Sequence, residues 1–256
     1  MPRLLQSGAG EPLVLLHPFP LDANYWSPQL AAPPAGWRLL APDLRGFGTQ
    51  GAGDAPVTSL DDYARDVIAM LDAHGIDRAV IGGVSMGGYV AVAMLRHAPG
   101  RMRALVLANT RIDADPPESR ANRQKMLDLI AREGSAGVAR EMPRLLSETT
   151  ERERPELKAR LRAAIADAPA EGLAAAVRAM MTRPDSTDVA AAFEGPALIV
   201  SGAEDALTPP PLQQAMHEVM TRSRLEVIDA AGHLASLERP EAFNALLQRF
   251  LHSLSG

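Results

Sequence analysis

The chain has 256 residues, 46% apolar and 22% charged, which suits a single substantial soluble core. A formal net charge of -5 provides no concentrated basic face for phosphates, so no nucleic-acid partner is expected. The absence of cysteine excludes a disulfide framework and a thiol nucleophile.

Short apolar runs alternate with helical periodicities along the chain, which predicts an α/β fold. Its sheet is mostly parallel, with helices on both faces. The first apolar run, Leu13–Leu16, is too short for a signal peptide or membrane span, so a cytoplasmic protein without membrane attachment is expected. It belongs to a predicted strand, Leu13–His17, that enters the proline-stiffened loop His17-Pro18-Phe19-Pro20. A second strand, Arg38–Ala41, precedes Asp43-Leu44-Arg45-Gly46-Phe47-Gly48. Leu60, Ala64, Val67, Met70 and Leu71 then share one helical face; Thr58 or Ser59 caps that helix and Gly75 ends it.

The third strand, Ala79–Gly83, runs into Gly83-Val84-Ser85-Met86-Gly87-Gly88 and a helical stretch from Tyr89 to Leu95. A fourth strand, Ala104–Ala108, closes the first part of the core, residues 1–110. From 111 to 195 no strand pattern occurs. Helical groups replace it: Met126/Leu129/Ile130, Val138/Met142/Leu145, Leu157/Leu161/Ile165 and Leu173/Val177/Met180. This charge-dense stretch reads as a helical insertion. The strands Ala197–Ser201 and Leu225–Ile228 and a last helix from Pro240 make the second part of the core, residues 196–256.

Ser85 is the candidate nucleophile. It sits in a G-x-S-x-G pattern between strand and helix, where a tight turn exposes a hydroxyl and flanking glycines remove colliding side chains. Serine needs a base, itself oriented by an acid. Of the six histidines, His233 is the candidate base, because it lies in a loop after the last strand, where loops converge over a parallel sheet. His74, His97, His217 and His252 fall at polar helix faces, and His17 reads as supporting loop structure. Asp205, in the loop after another strand, is the candidate acid; Glu204 is its neighbour and rival, and Asp229 a more distant one. An oxyanion would meet the backbone N–H of Met86 and that of Phe19, since Pro18 and Pro20 have none to donate.

Together these residues resemble the α/β-hydrolase superfamily over nearly the whole chain. His17-Pro18-Phe19-Pro20 is similar to its His-Gly-x-Pro turn, with proline replacing the glycine, and Asp43–Gly48 to its D-x-R-G-x-G segment. Gly202-x-x-Asp205-x-x-x-Pro209 and Gly232-His233 resemble its acid and base motifs. Residues 111–195 then correspond to a helical cap. The cap start, Asn109-Thr110-Arg111, and the close of the chain look most like the branch of β-ketoadipate enol-lactone hydrolases, aryl esterases and cofactor-free haloperoxidases.

The resemblance implies hydrolysis of a small carboxylic ester or lactone through an acyl-enzyme, with no metal or organic cofactor. A carbon–carbon bond hydrolase or a perhydrolase would use the same triad, and a ligand-sensing binding protein could retain it. An enol-lactone substrate carries a carboxylate, which would need a cap arginine such as Arg140 or Arg144 facing the pocket, although most charges on cap helices are simply solvated. Met126, Met142, Met180 and Met181 fit ordinary cap packing, with an adaptable pocket lining as the alternative.

Overall fold

The computed structural model describes residues 3–48, 56–141 and 144–254. These residues form a seven-stranded sheet in the order β1-β3-β2-β4-β5-β6-β7. The strands are β1 Leu4–Gly8, β2 Glu11–Leu16, β3 Trp37–Pro42, β4 Ala79–Val84, β5 Met102–Ala108, β6 Ala197–Gly202 and β7 Ser223–Ile228. All pairings are parallel except β1 with β3. β4 and β6 are buried at every position, as continuous apolar runs require when both faces are covered. β7 lies at an edge and buries only Ile228. β1, at the other edge, escapes the sequence reading because Leu4-Leu5-Gln6-Ser7-Gly8 has no alternating pattern.

Around the sheet lie α1 Ser27–Ala31, α2 Leu60–Ala73 and α3 Met86–His97. The Asp62 carboxylate starts α2 by accepting from the N–H groups of Thr58 at 2.8 Å and Ser59 at 3.0 Å. Gly75, at φ 62°, releases the chain after it. The β2-to-β3 crossover through α1 runs opposite to those through α2 and α3. Right-handed connections therefore put α1 on the other face from α2 and α3, which pack together. The chain reverses its direction of growth at β2, between β3 and β4. Ligands bind at such a switch point, beyond the carboxyl ends of the strands.

Between β5 and β6 run α4 Pro117–Glu141, α5 Glu148–Glu153, α6 Pro155–Ala166, α7 Ala170–Met181 and α8 Thr187–Ala191. Gly134, at φ 61°, interrupts α4. Of the predicted Val138/Met142/Leu145 group, Val138 lies in α4, Leu145 in the loop before α5, and Met142 outside the described residues. Leu157, Leu161 and Ile165 are the buried face of α6, and Leu173, Val177 and Met180 belong to that of α7. A Cβ on Gly172 would fall 1.8 Å from the Gly46 carbonyl oxygen, so α7 rests directly on the loop after β3. The chain ends with α9 Pro210–Val219, α10 Ala235–Glu238 and α11 Pro240–His252. Among the described residues no helix is long and apolar enough to cross a membrane.

Candidate active site

Ser85 occupies the single step between β4 and α3, at φ 52° and ψ -116°. Such a backbone costs a non-glycine residue about 1–3 kcal/mol, so the surroundings must enforce it. They do so by leaving no alternative space. A Cβ on Gly83 would meet the Gly87 carbon at 2.2 Å, and one on Gly87 would meet the Leu16 carbonyl oxygen at 2.2 Å. Strand end, helix start and the neighbouring β2 therefore touch backbone to backbone. The Ser85 N–H donates to Ala108 O at 3.1 Å, and the Thr110 hydroxyl donates to Ser85 O at 2.8 Å.

His233 follows β7 in a buried loop, and its Nδ1 lies 2.9 Å from Asp205 Oδ2 and 3.1 Å from Oδ1. Asp205 follows β6 and is almost completely buried. Its carboxylate also accepts from the Thr208 hydroxyl at 2.6 Å, the Thr208 and Leu207 N–H groups at 3.0 and 2.8 Å, and Asn109 Nδ2 at 2.8 Å. Burial pushes the Asp205 pKa up, but the His233 charge and the bonds from His233 and Thr208 hold it well below the usual carboxylate range. With a carboxylate on Nδ1, the imidazole keeps its proton there and presents Nε2 as the accepting nitrogen.

Glu204 takes another path. Its carboxylate accepts from the Thr149 hydroxyl at 2.6 Å and the Thr149 N–H at 3.2 Å, at the start of α5. Asp229 is exposed. Neither has a hydrogen bond to His233.

His17 is fully buried just past the end of β2. It accepts from the Leu44 N–H at Nε2, 2.9 Å away, and its Nδ1 faces Pro18 O at 3.2 Å. Burial lowers its pKa, so the neutral ring stitches the loop after β2 to the loop after β3. The Phe19 and Met86 N–H groups donate to no other described residue.

A cavity of about 380 Å³ opens above these groups. Ser85, His233 and Phe19 line it on the sheet side, and Met126, Val138 and Met180 on the helical side. Its size suits a small organic molecule.

A family model described as alpha/beta hydrolase fold matches residues 11–240. The chain belongs to the α/β-hydrolase family. Among relatives, 3-oxoadipate enol-lactonase 1 of Acinetobacter baylyi is 30% identical over 237 residues, covering 91% of this chain and 85% of its own. A thermophilic esterase from Thermogutta terrifontis, solved with malate bound, superposes with a TM-score of 0.91 at 37% identity, covering 98% of this chain and 93% of that one. The enol-lactonase from Burkholderia xenovorans LB400 superposes with a TM-score of 0.88 at 26% identity, covering 98% and 96%.

Of the residues singled out between 111 and 195, some reach the cavity and others are solvated. Arg140 is exposed and pairs with Glu133 and Glu141, while Arg144 is exposed and pairs with Glu148 at 2.7 Å. Neither lines the cavity; Arg111 and Arg123 do. Helix periodicity places side chains relative to one another, but not the whole helix relative to the sheet. Met126 and Met180 line the cavity, and Met181 does not. His217 is half-buried and bonded to the Ser223 hydroxyl at 2.6 Å rather than merely solvated. Asn109, to which the sequence assigns no role in holding the acid, donates from Nδ2 to both Asp205 Oδ2 and Gly232 O. A polar residue directly after the apolar strand run was the available signal.

Proposed function

We propose that this α/β-hydrolase is a carboxylic ester hydrolase that cleaves a small ester or lactone through an acyl-enzyme on Ser85. One observation carries the reading: Ser85, on its enforced left-handed backbone, shares one cavity with a His233 whose Nδ1 is engaged by a buried, ionised Asp205.

In this mechanism His233 Nε2 takes the Ser85 hydroxyl proton as the oxygen attacks the substrate carbonyl carbon. The C=O electron pair moves onto oxygen, where the unengaged N–H groups of Met86 and Phe19 receive it. Collapse expels the alkoxide, which takes the proton from His233 and leaves the acyl group on Ser85. Water then repeats the sequence: it gives a proton to His233, attacks the acyl carbon and releases a carboxylic acid with Ser85 reprotonated. Asp205 stays ionised throughout and stabilises the imidazolium.

Residues 111–195 form the cap of this reading, and their first part decides the substrate's far end. Arg111 binds Asp113 through Nε and Nη2, which leaves Nη1 unengaged among the described residues. Arg123 binds Asp115 through Nε and Nη2 and offers Nη1 only a sulfur, that of Met180 at 3.5 Å. Burial favours protonation of Asp115, but bonds and charges from Arg123 and Arg183 hold its pKa down, so it remains the partner of both. Two guanidinium groups with spare donors thus favour an ester or lactone bearing a carboxylate away from the scissile bond.

Turnover of p-nitrophenyl acetate by wild type and Ser85→Ala tests the reading. Wild type is expected to be at least ~10³-fold faster. Equal rates in the two proteins would overturn it.

A further inference from the structure

Glu238, in α10, is completely buried, yet it has no ion pair among the described residues. Its two oxygens are instead occupied by backbone. Oε1 accepts from the Gly232 N–H at 2.9 Å and the Leu234 N–H at 3.2 Å, on either side of His233. Oε2 accepts from the Ser147 N–H at 2.9 Å, where the chain enters α5. A buried carboxylate is costly unless such bonds compensate it, and removing it would orphan three donors at once.

The same seam is closed by two further contacts. The His233 N–H donates to Leu145 O at 3.0 Å, and Leu145 lines the cavity. A Cβ on Gly232 would stand 2.5 Å from Ser147 N, so the two segments have no slack between them. The segment Leu145–Ser147 and the loop carrying His233 are therefore joined in one hydrogen-bonded seam, with Glu238 at its centre.

We propose that Glu238 is a positioning residue: it sets His233 in register with Asp205 on one side and with the cavity wall at Leu145 on the other. This rests on the serine-hydrolase reading for its kinetic consequence, but not for its structural one. Glu238→Gln keeps the volume and places an amide NH₂ where one of the oxygens accepted, facing either Ser147 N–H or the Gly232 and Leu234 pair.

The test combines ester turnover with proton NMR of the low-field resonance expected for the His233 Nδ1–H bonded to Asp205. The variant is expected to lose kcat by ~10- to 100-fold, as small misplacements of catalytic groups do, with KM changed less than about threefold. The resonance should shift or broaden. A folded Glu238→Gln with wild-type kcat and an unmoved resonance overturns the proposal. So does a loss of kcat with the resonance unmoved, which would mark a purely structural role. Should that variant fail to fold, Glu238→Asp keeps the carboxylate but draws it back from the Gly232, Leu234 and Ser147 N–H groups, and an unmoved resonance there counts against the proposal equally. If wild type itself lacks esterase activity, the resonance still reports on Glu238, so the two readings fail separately.

Discussion

The two walls of the cavity are built by different means. On the sheet side, Gly83, Gly87 and Leu16 O meet at distances that exclude even a methyl group, and β4 is buried along its whole length. On the helical side, exposed or half-buried ion pairs such as Arg144–Glu148 and Lys158–Glu151 join segments whose cavity-facing side chains are methionines, valines and guanidinium groups. The first wall is determined by backbone, and the second by side chains. Close-packed backbone positions few groups with great accuracy, whereas a side-chain wall can be rewritten without disturbing the strands. Under the proposed mechanism, chemistry falls to the first wall and selectivity to the second.

The sharpest attempt to break that contrast is Asp205→Asn, on the sheet side. It is expected to lower kcat by ~10⁴-fold, because the imidazole loses the carboxylate that holds its tautomer. Glu204→Gln, whose carboxylate bonds to the start of α5 and not to His233, should stay within about twofold in the same p-nitrophenyl acetate assay. A larger loss in the second variant would exchange the two roles. Next comes Gly87→Ala. Its Cβ has only 2.2 Å to the Leu16 carbonyl oxygen, so destabilisation of about 1–3 kcal/mol or more is expected in a denaturant titration, together with lost turnover.

On the other wall, Arg111→Gln should raise KM about tenfold for an ester bearing a distal carboxylate and leave a neutral ester of equal length unchanged. Equal effects on both esters would remove Arg111 from substrate selection. Acidification offers a smaller effect. The Asp205 pKa is depressed in the fold, so the unfolded chain binds the extra proton first as pH falls. The stability that Asp205 contributes is complete above about pH 4, the ordinary Asp range, and is lost as pH falls toward the folded value. Between about pH 5 and pH 3, Asp205→Asn should therefore lose less Tm than wild type. The smallest effect is expected for Arg140→Ala, whose exposed pairs with Glu133 and Glu141 should leave kcat and KM unchanged.

Much of the sheet was legible from local pattern. Continuous apolar runs such as Ala79–Gly83 and Ala197–Ser201 report burial on both faces directly, and the Gly-x-Ser-x-Gly spacing reports a turn too tight for side chains. β1 was not legible, because an edge strand paired on one side needs little apolar content. The break in α4 at Gly134 and the loop position of Leu145 were hidden by a periodicity that continues through both.

From sequence alone followed the alternation of strands and helices, the elbow at Ser85, and the choice of Asp205 and His233 as partners worth testing. Each depends on short-range constraints: period, turn sterics and the ends of strands. The tertiary structure alone decided that Asp205, rather than Glu204, faces His233, that Arg111 and Arg123 rather than Arg140 and Arg144 reach the cavity, and that Glu238 binds both sides of the His233 loop. Those outcomes turn on which way a side chain points after distant segments pack, and neighbouring residues in one loop or helix carry no local signal that separates them.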